Sequence, residues 1–261
     1  MLKAVLFDLD NTLIDWDATG SWHTELARRM AILYDFIGQR VQPWDGTTVD
    51  MLQARFIEAL DHAWAVANQT LVPVDHMGVL RSALAACGVP EDRLTRELLD
   101  DAYDWQPHEN LQIYPEVPEV LDQLRAHGVQ LGIITNASQS MTLRDRELTH
   151  VRLLDYFPMC RISAIDVGLL KPDPRIFQAA LDLLGLAPDE AIYVGDHLQA
   201  DVMGAQSAGM RAVWRVTSAD TTPPDPAIVP DGIITDLREL LPLLDGWYPG
   251  WRNGHTLHDT L

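Results

Sequence analysis

Three observations predict an α/β fold: a doubly wound parallel sheet core with an inserted block of helices. Short apolar runs recur at "AVLF" (4–7), "VQLGIIT" (129–135) and "AIYVG" (191–195), each bounded as a buried strand would be. Helical patterns alternate with the later runs, the arrangement that wraps both faces of a parallel sheet. Residues 16–111, between the first two runs, contain no convincing strand.

Further strands are expected at "RISAI" (161–165), "RAVWRV" (211–216) and "GIIT" (232–235). The intervening helices are expected at 117–127, 140–154, 174–184 and 199–208. Gly128, Gly185 and Gly209 stand where three of them should end. In the insert, helices are expected over 21–37, 76–87 and 93–105. Another should begin at "TTVD" (47–50), which reads as a capping box. Its apolar positions Leu52, Phe56, Leu60 and Trp64 share one face. Pro43, Pro73 and Pro107 fall in the connecting turns, and "HENLQIYPEVP" (108–118) reads as the return hinge. The expected organisation is a core of residues 1–15 and 112–245, an insert of 16–111, and a tail of 246–261 without an assigned role.

The chain has 261 residues, 47% apolar and 22% charged, enough for one large domain or a domain with an insertion. Its net charge of −19 argues against nucleic acid polymers or an anionic membrane as partners. Cys87 and Cys160 show no metal or disulfide spacing, so a cytoplasmic location is expected. The N-terminal apolar stretch is too short for a signal peptide, and no run is long enough to cross a membrane.

The chemistry gathers at strand ends. Asp8 and Asp10 follow the first strand at i, i+2 spacing and so share a face. The fourth strand runs into "GDHLQAD", which supplies Asp196 and Asp201. Where strand order reverses in a doubly wound sheet, those ends flank the ligand crevice. Several carboxylates gathered there cannot all stay ionised without a cation, and an all-oxygen set suits Mg²⁺. Taken singly, such aspartates also serve as N-caps or turn formers. A calcium-binding loop counted from Asp8 is excluded by Leu13 and Thr19, which replace its glycine and glutamate. "TNAS" (135–138) offers a hydroxyl and backbone N–H groups to a phosphate, or forms a plain turn. Lys171, one of only two lysines, precedes Pro172 and suits a compact charge facing carboxylate and phosphate.

"DLDNT", then Thr135, then "KP" at 171–172, then "GDHLQAD" together resemble the haloacid dehalogenase-like superfamily. That resemblance implies a Rossmann-like core with an α-helical cap domain of the C1 type. It implies that Asp8 is the nucleophile, forming an aspartyl-phosphate, and that Asp10 is general acid and then base. Thr135 and the adjacent backbone at Asn136 would hold phosphoryl oxygens. Lys171 would offset the charge of Asp8 and the phosphoryl group. Asp8, the Asp10 carbonyl and Asp196 would ligate Mg²⁺, supported by Asp201. The implied activity is a Mg²⁺-dependent phosphatase acting on a small phosphorylated metabolite. A phosphomutase is the alternative; a 2-haloacid dehalogenase fits less well, because family dehalogenases lack an aspartate at the Asp10 position.

Substrate choice is expected in the cap and in the loop from Asp15 to His23. Trp16, Trp22, His23, Trp44 and Trp64 can face the crevice, but packing is the commoner use of such aromatics. Arg144, Arg146 and Arg175 are expected on solvated helix faces, and His197 in a turn.

Overall fold

The computed structural model describes residues 1–20, 22–217 and 225–253. The chain opens with β1 (Ala4–Phe7) and a two-residue strand, β2 (Ile14–Asp15). Four helices follow: α1 (Trp22–Arg40), α2 (Val49–Thr70), α3 (His76–Ala86) and α4 (Arg96–Tyr103). Then come β3 (Gln112–Ile113), α5 (Val117–Ala126), β4 (Gln130–Thr135) and α6 (Met141–His150). The next are β5 (Cys160–Ser163), the short turn α7 (Ala164–Val167), α8 (Pro174–Leu184) and β6 (Ala191–Gly195). After a π-helical turn over Leu198–Met203 come α9 (Gly204–Ser207), β7 (Arg211–Arg215), β8 (Gly232–Ile234) and α10 (Leu240–Trp247).

The main sheet has six parallel strands in the order β5-β4-β1-β6-β7-β8. The chain therefore winds outward in one direction, returns to β1, and winds outward in the other. The reversal lies between β1 and β6, and in doubly wound sheets ligands bind outside the strands' carboxyl ends at that point. All four side chains of β1 are buried, and their alternation divides the core. Ala4 and Leu6 join the cluster that holds α8 and the helices α1–α4. Val5 and Phe7 face the cluster beneath α5, α6 and α10, where Phe7 meets Phe157 edge to face at 6.5 Å.

The helix ends follow local chemistry. Asp173 caps α8 by accepting from the Arg175 N–H at 2.9 Å, Pro174 occupies the first turn, and Gly185 ends the helix with φ 66°. The cap of α2 sits one residue later than the spacing suggested. Thr48 accepts from Met51 N at 3.3 Å, and Asp50 lies within the first turn.

Three local differences from the expected elements stand out. "RISAI" is a strand only to Ser163 and then turns into α7. The helix expected over 199–208 is π-wound in its first half. The chain leaving β1 and returning at the hinge pairs as an antiparallel ribbon, Ile14 with Ile113 and Asp15 with Gln112. Such two-residue strands carry too little alternation to be read from sequence. Trp251, in the expected tail, is buried, packs on His127 and donates to Asp245 at 2.8 Å. Residues 254–261 of that tail lie outside the described residues.

Candidate active site

β1 and β6 run side by side, and the Asp8 N–H donates to Val194 O at 2.9 Å. This places Asp8 and Asp196 on either side of the crevice. Lys171 arrives from the loop before α8. Its Nζ donates to Asp8 Oδ1 at 2.6 Å and to Asp201 Oδ1 at 2.6 Å. It also reaches the Ile134 carbonyl at 3.0 Å and the Tyr193 hydroxyl at 2.9 Å. Asp8, Lys171 and Asp201 are all buried. Asn136 fixes the Lys171 backbone: its side-chain oxygen accepts from Lys171 N at 2.8 Å, and its Nδ2 donates to Lys171 O at 3.0 Å. The Asn136 side chain is thus engaged with the lysine loop. Thr135 is buried at the end of β4.

Asp201 reaches Lys171 because Gly195 has no side chain. A Cβ there would lie 2.4 Å from both Cγ and Oδ2 of Asp201. The π turn completes the placement. Asp201 Oδ2 accepts from His197 N at 2.9 Å, and Asp201 N donates to His197 O at 2.8 Å. His197 itself caps the turn, accepting from Ala200 N at 3.1 Å. Widened helical turns of this kind concentrate at functional sites.

The carboxylates are crowded. One oxygen from each of Asp8, Asp196 and Asp201 lies within 4.8 Å of the others. Burial raises the Asp8 carboxyl well above its ordinary range, Lys171 opposes this, and Asp201, Asp196 and Asp10 add to the rise. Burial and then Asp201 push Asp196 up to about 7. One lysine therefore does not balance the cluster. Since Asp201 is engaged with Lys171 and the His197 N–H, Asp8 and Asp196 are the carboxylates open to a hard divalent cation, and their donor set fits Mg²⁺.

The Asp10 carboxylate is not part of that trio. Its Oδ1 accepts from Trp16 Nε1 and from Arg144 Nη2. Arg144 is buried, not solvated as expected, and its other arm meets Glu147 at 2.8 Å. Burial pushes the Glu147 carboxyl up to about 7, against the pull of Arg144. A signal for Arg144 existed: α6 starts at the carboxyl end of β4, and side chains in a helix's first turns lean back toward its N-terminus. Arg146 and Arg175 fit the surface expectation; Arg175 pairs with Asp173 at 2.6 Å. Trp44 is packing, stacked on Tyr34 at 4.7 Å. Trp16 and Trp64 instead line a cavity beside the site. The Trp22 side chain lies outside the described residues.

A doubly wound sheet with acids at its reversal point and one buried lysine between them places a candidate hydrolase site at the carboxyl ends of β1 and β6. The chain belongs to the haloacid dehalogenase-like hydrolase family, whose profile matches residues 2–209. It is 32% identical to a phosphoserine phosphatase of Thermus thermophilus, over 92% of this chain and 98% of that one. It is 34% identical to a glyceraldehyde 3-phosphate phosphatase of Methanopyrus kandleri, over 92% and 96%. Among solved structures it resembles a 2-haloacid dehalogenase from Pseudomonas syringae, with TM-score 0.68, 30% identity, and 95% and 100% of the chains covered. A phosphatase from Thermococcus onnurineus matches with TM-score 0.62, 30% identity, and 94% and 99% coverage. Among the described residues no helix is long and apolar enough to cross a membrane.

Proposed function

We propose that the protein is a Mg²⁺-dependent phosphatase that hydrolyses a small phosphorylated metabolite through an aspartyl-phosphate on Asp8. The observation that carries this reading is the buried Lys171 Nζ set 2.6 Å from both Asp8 and Asp201. That contact holds one Asp8 oxygen and leaves Oδ2 to attack phosphorus.

The bond from Asp8 Oδ2 to phosphorus forms as the ester P–O bond breaks, and Asp10 protonates the departing oxygen. Both donors on Asp10 meet Oδ1, which leaves Oδ2 as the oxygen free to pass a proton to the departing group. A water then loses a proton to Asp10 and bonds to phosphorus. The Asp8 bond breaks, and inorganic phosphate leaves. Lys171 and Thr135, with the Asn136 backbone, hold the transferring oxygens, and Asn136 orients Lys171 through its side chain. Mg²⁺, when bound by Asp8, Asp196 and the Asp10 carbonyl, supplies neutralisation of the carboxylates and the phosphoryl group. Positioning and charge stabilisation of this kind carry most of the catalysis of phosphoryl transfer. The 2-haloacid dehalogenase reading is disfavoured by Asp10, since a halide needs no proton to leave. The helices α1–α4 serve as the cap, with hinges at the β2–β3 ribbon, and the cytoplasm is the proposed location.

The test is release of inorganic phosphate from a panel of phosphorylated metabolites, with Mg²⁺ and with chelator. Turnover that requires Mg²⁺ and vanishes in Asp8→Asn supports the reading. Turnover that survives Asp8→Asn contradicts it.

A further inference from the structure

A cavity of about 200 Å³ lies between the helices α1–α4 and the loop after β4. Trp16 lines it and also donates to Asp10, and Ser138 and Gln139, just past Thr135, line it too. The cavity therefore adjoins the acid that protonates the departing oxygen. Resting on the phosphatase reading, we propose that it receives the leaving group and selects phosphomonoesters of compact, ring-bearing alcohols with one hydrogen-bonding group over those of short acyclic hydroxy acids.

The wall chemistry supports a ring. Phe56 and Trp64 come from α2, with Tyr103 and Trp105 from the end of α4 and just beyond it. The Tyr103 and Trp105 rings stack at 5.8 Å. Flat apolar faces of this kind favour a flat apolar guest. A small carboxylate would exchange its hydration for these faces, which is unfavourable without a free cation. Arg29 is not free. It pairs with Glu25 at 2.5 Å, donates to Gln106 O at 2.7 Å and lies 4.5 Å from the Trp105 ring centre.

Two buried polar atoms of the wall are left over, Trp105 Nε1 and His76 Nε2. His76 is buried, edge-on to Phe56 at 5.5 Å, and its Nε2 has no hydrogen-bond partner. Buried polar atoms are nearly always paired, so one beside a cavity points to a ligand group that completes it. Burial lowers His76 to about 4, so the imidazole is neutral near pH 7 and can donate or accept one hydrogen bond. The size agrees: an apolar cavity of about 150 Å³ accommodates one benzene ring. The space here suits a ring and one substituent.

The test uses the full chain with benzyl phosphate and phosphoglycolate as substrates, and benzyl alcohol and glycolate as calorimetric ligands. Benzyl phosphate should be favoured in kcat/KM by at least about tenfold, within the range a shaped apolar pocket achieves. Benzyl alcohol should bind, and glycolate should not. Leu60→Trp, which fills the cavity from α2, should abolish benzyl alcohol binding and the preference. Should that variant misfold, Trp64→Ala enlarges the cavity and should shift preference toward naphthylmethyl phosphate. Turnover of both esters without a ring preference overturns this inference and leaves the phosphatase reading standing. Benzyl alcohol binding with no hydrolysis of benzyl phosphate leaves a ring-binding cavity and overturns its role as the leaving-group subsite. Neither binding nor hydrolysis overturns this inference, while the phosphatase reading is decided separately by the metabolite panel and Asp8→Asn.

Discussion

Arg144 and Asp10, 134 residues apart in sequence, are joined by an ion pair in which the guanidinium donates to the carboxylate oxygen that also takes the Trp16 indole N–H. Asp10 is thereby held by α6 on one side and by the segment just after β2 on the other. Arg144→Met should lower kcat by roughly 10²-fold, the range spanned by well-placed acid–base catalysis. KM should change little, because the lost contact positions the acid and not the substrate. Arg144→Lys should recover part of the rate. Steady-state kinetics with a pH profile of kcat check this, and a loss confined to KM would contradict it.

Gly195 is required by Asp201 and not by its own backbone. A Cβ at 2.4 Å from the Asp201 carboxylate must displace it, and with it one of the two acids on Lys171. Gly195→Ala should cost about 1–3 kcal/mol of stability, as overpacking does, and should lower kcat. Urea unfolding and a rate measurement read both. A variant with wild-type stability and rate would show that Asp201 is free to move.

Stability should depend on pH in an unusual direction. Native Asp196 ionises only around 7, against about 3.9 for an unfolded aspartate. Between those values the native state binds the extra proton, so this group's stabilisation is complete below the unfolded value and is lost as pH rises through about 7. Glu147, also pushed to about 7, acts with the same sign. The Tm of metal-free protein should therefore fall between about pH 5 and pH 8. Mg²⁺ should restore more of it at the upper end than at the lower, by binding the ionised acids. Glu147→Gln should remove a part that Mg²⁺ does not. Calorimetric melts at each pH decide; a metal-free Tm that climbs across this window would refute the account.

The likeness to a 2-haloacid dehalogenase makes halide release a discriminating assay. No chloride or bromide should appear from 2-haloacids, with or without Mg²⁺. Halide release at rates comparable with phosphate release would assign the nucleophile to carbon chemistry instead.

The sheet could be read from the sequence because its central strands β1, β4 and β6 carry short apolar runs, and the intervening helices end where glycine relieves the left-handed turn at Gly128 and Gly185. The acids could be read because strand ends converge at the reversal of strand order. What escaped notice was the support around them. Tyr193 looks like an ordinary core residue in "AIYVG", yet its hydroxyl accepts from Lys171 and donates to Ile134 O at 2.9 Å. The Asn136 clamp joins residues 35 apart, and Arg144 meets Asp10 across the crevice. Such contacts follow from how loops approach one another, which local periodicity does not encode. The sorting of Trp16 and Trp64 from Trp44 likewise depends on how the helices α1–α4 meet the core.

The most direct measurement is an acid quench during turnover with Mg²⁺, followed by mass analysis of the peptide that contains Asp8. A covalent route predicts one added phosphoryl group on Asp8 in the wild-type protein and none in Asp8→Asn. Steady turnover with an unmodified Asp8 peptide, or with the phosphoryl group on another residue, would contradict the account.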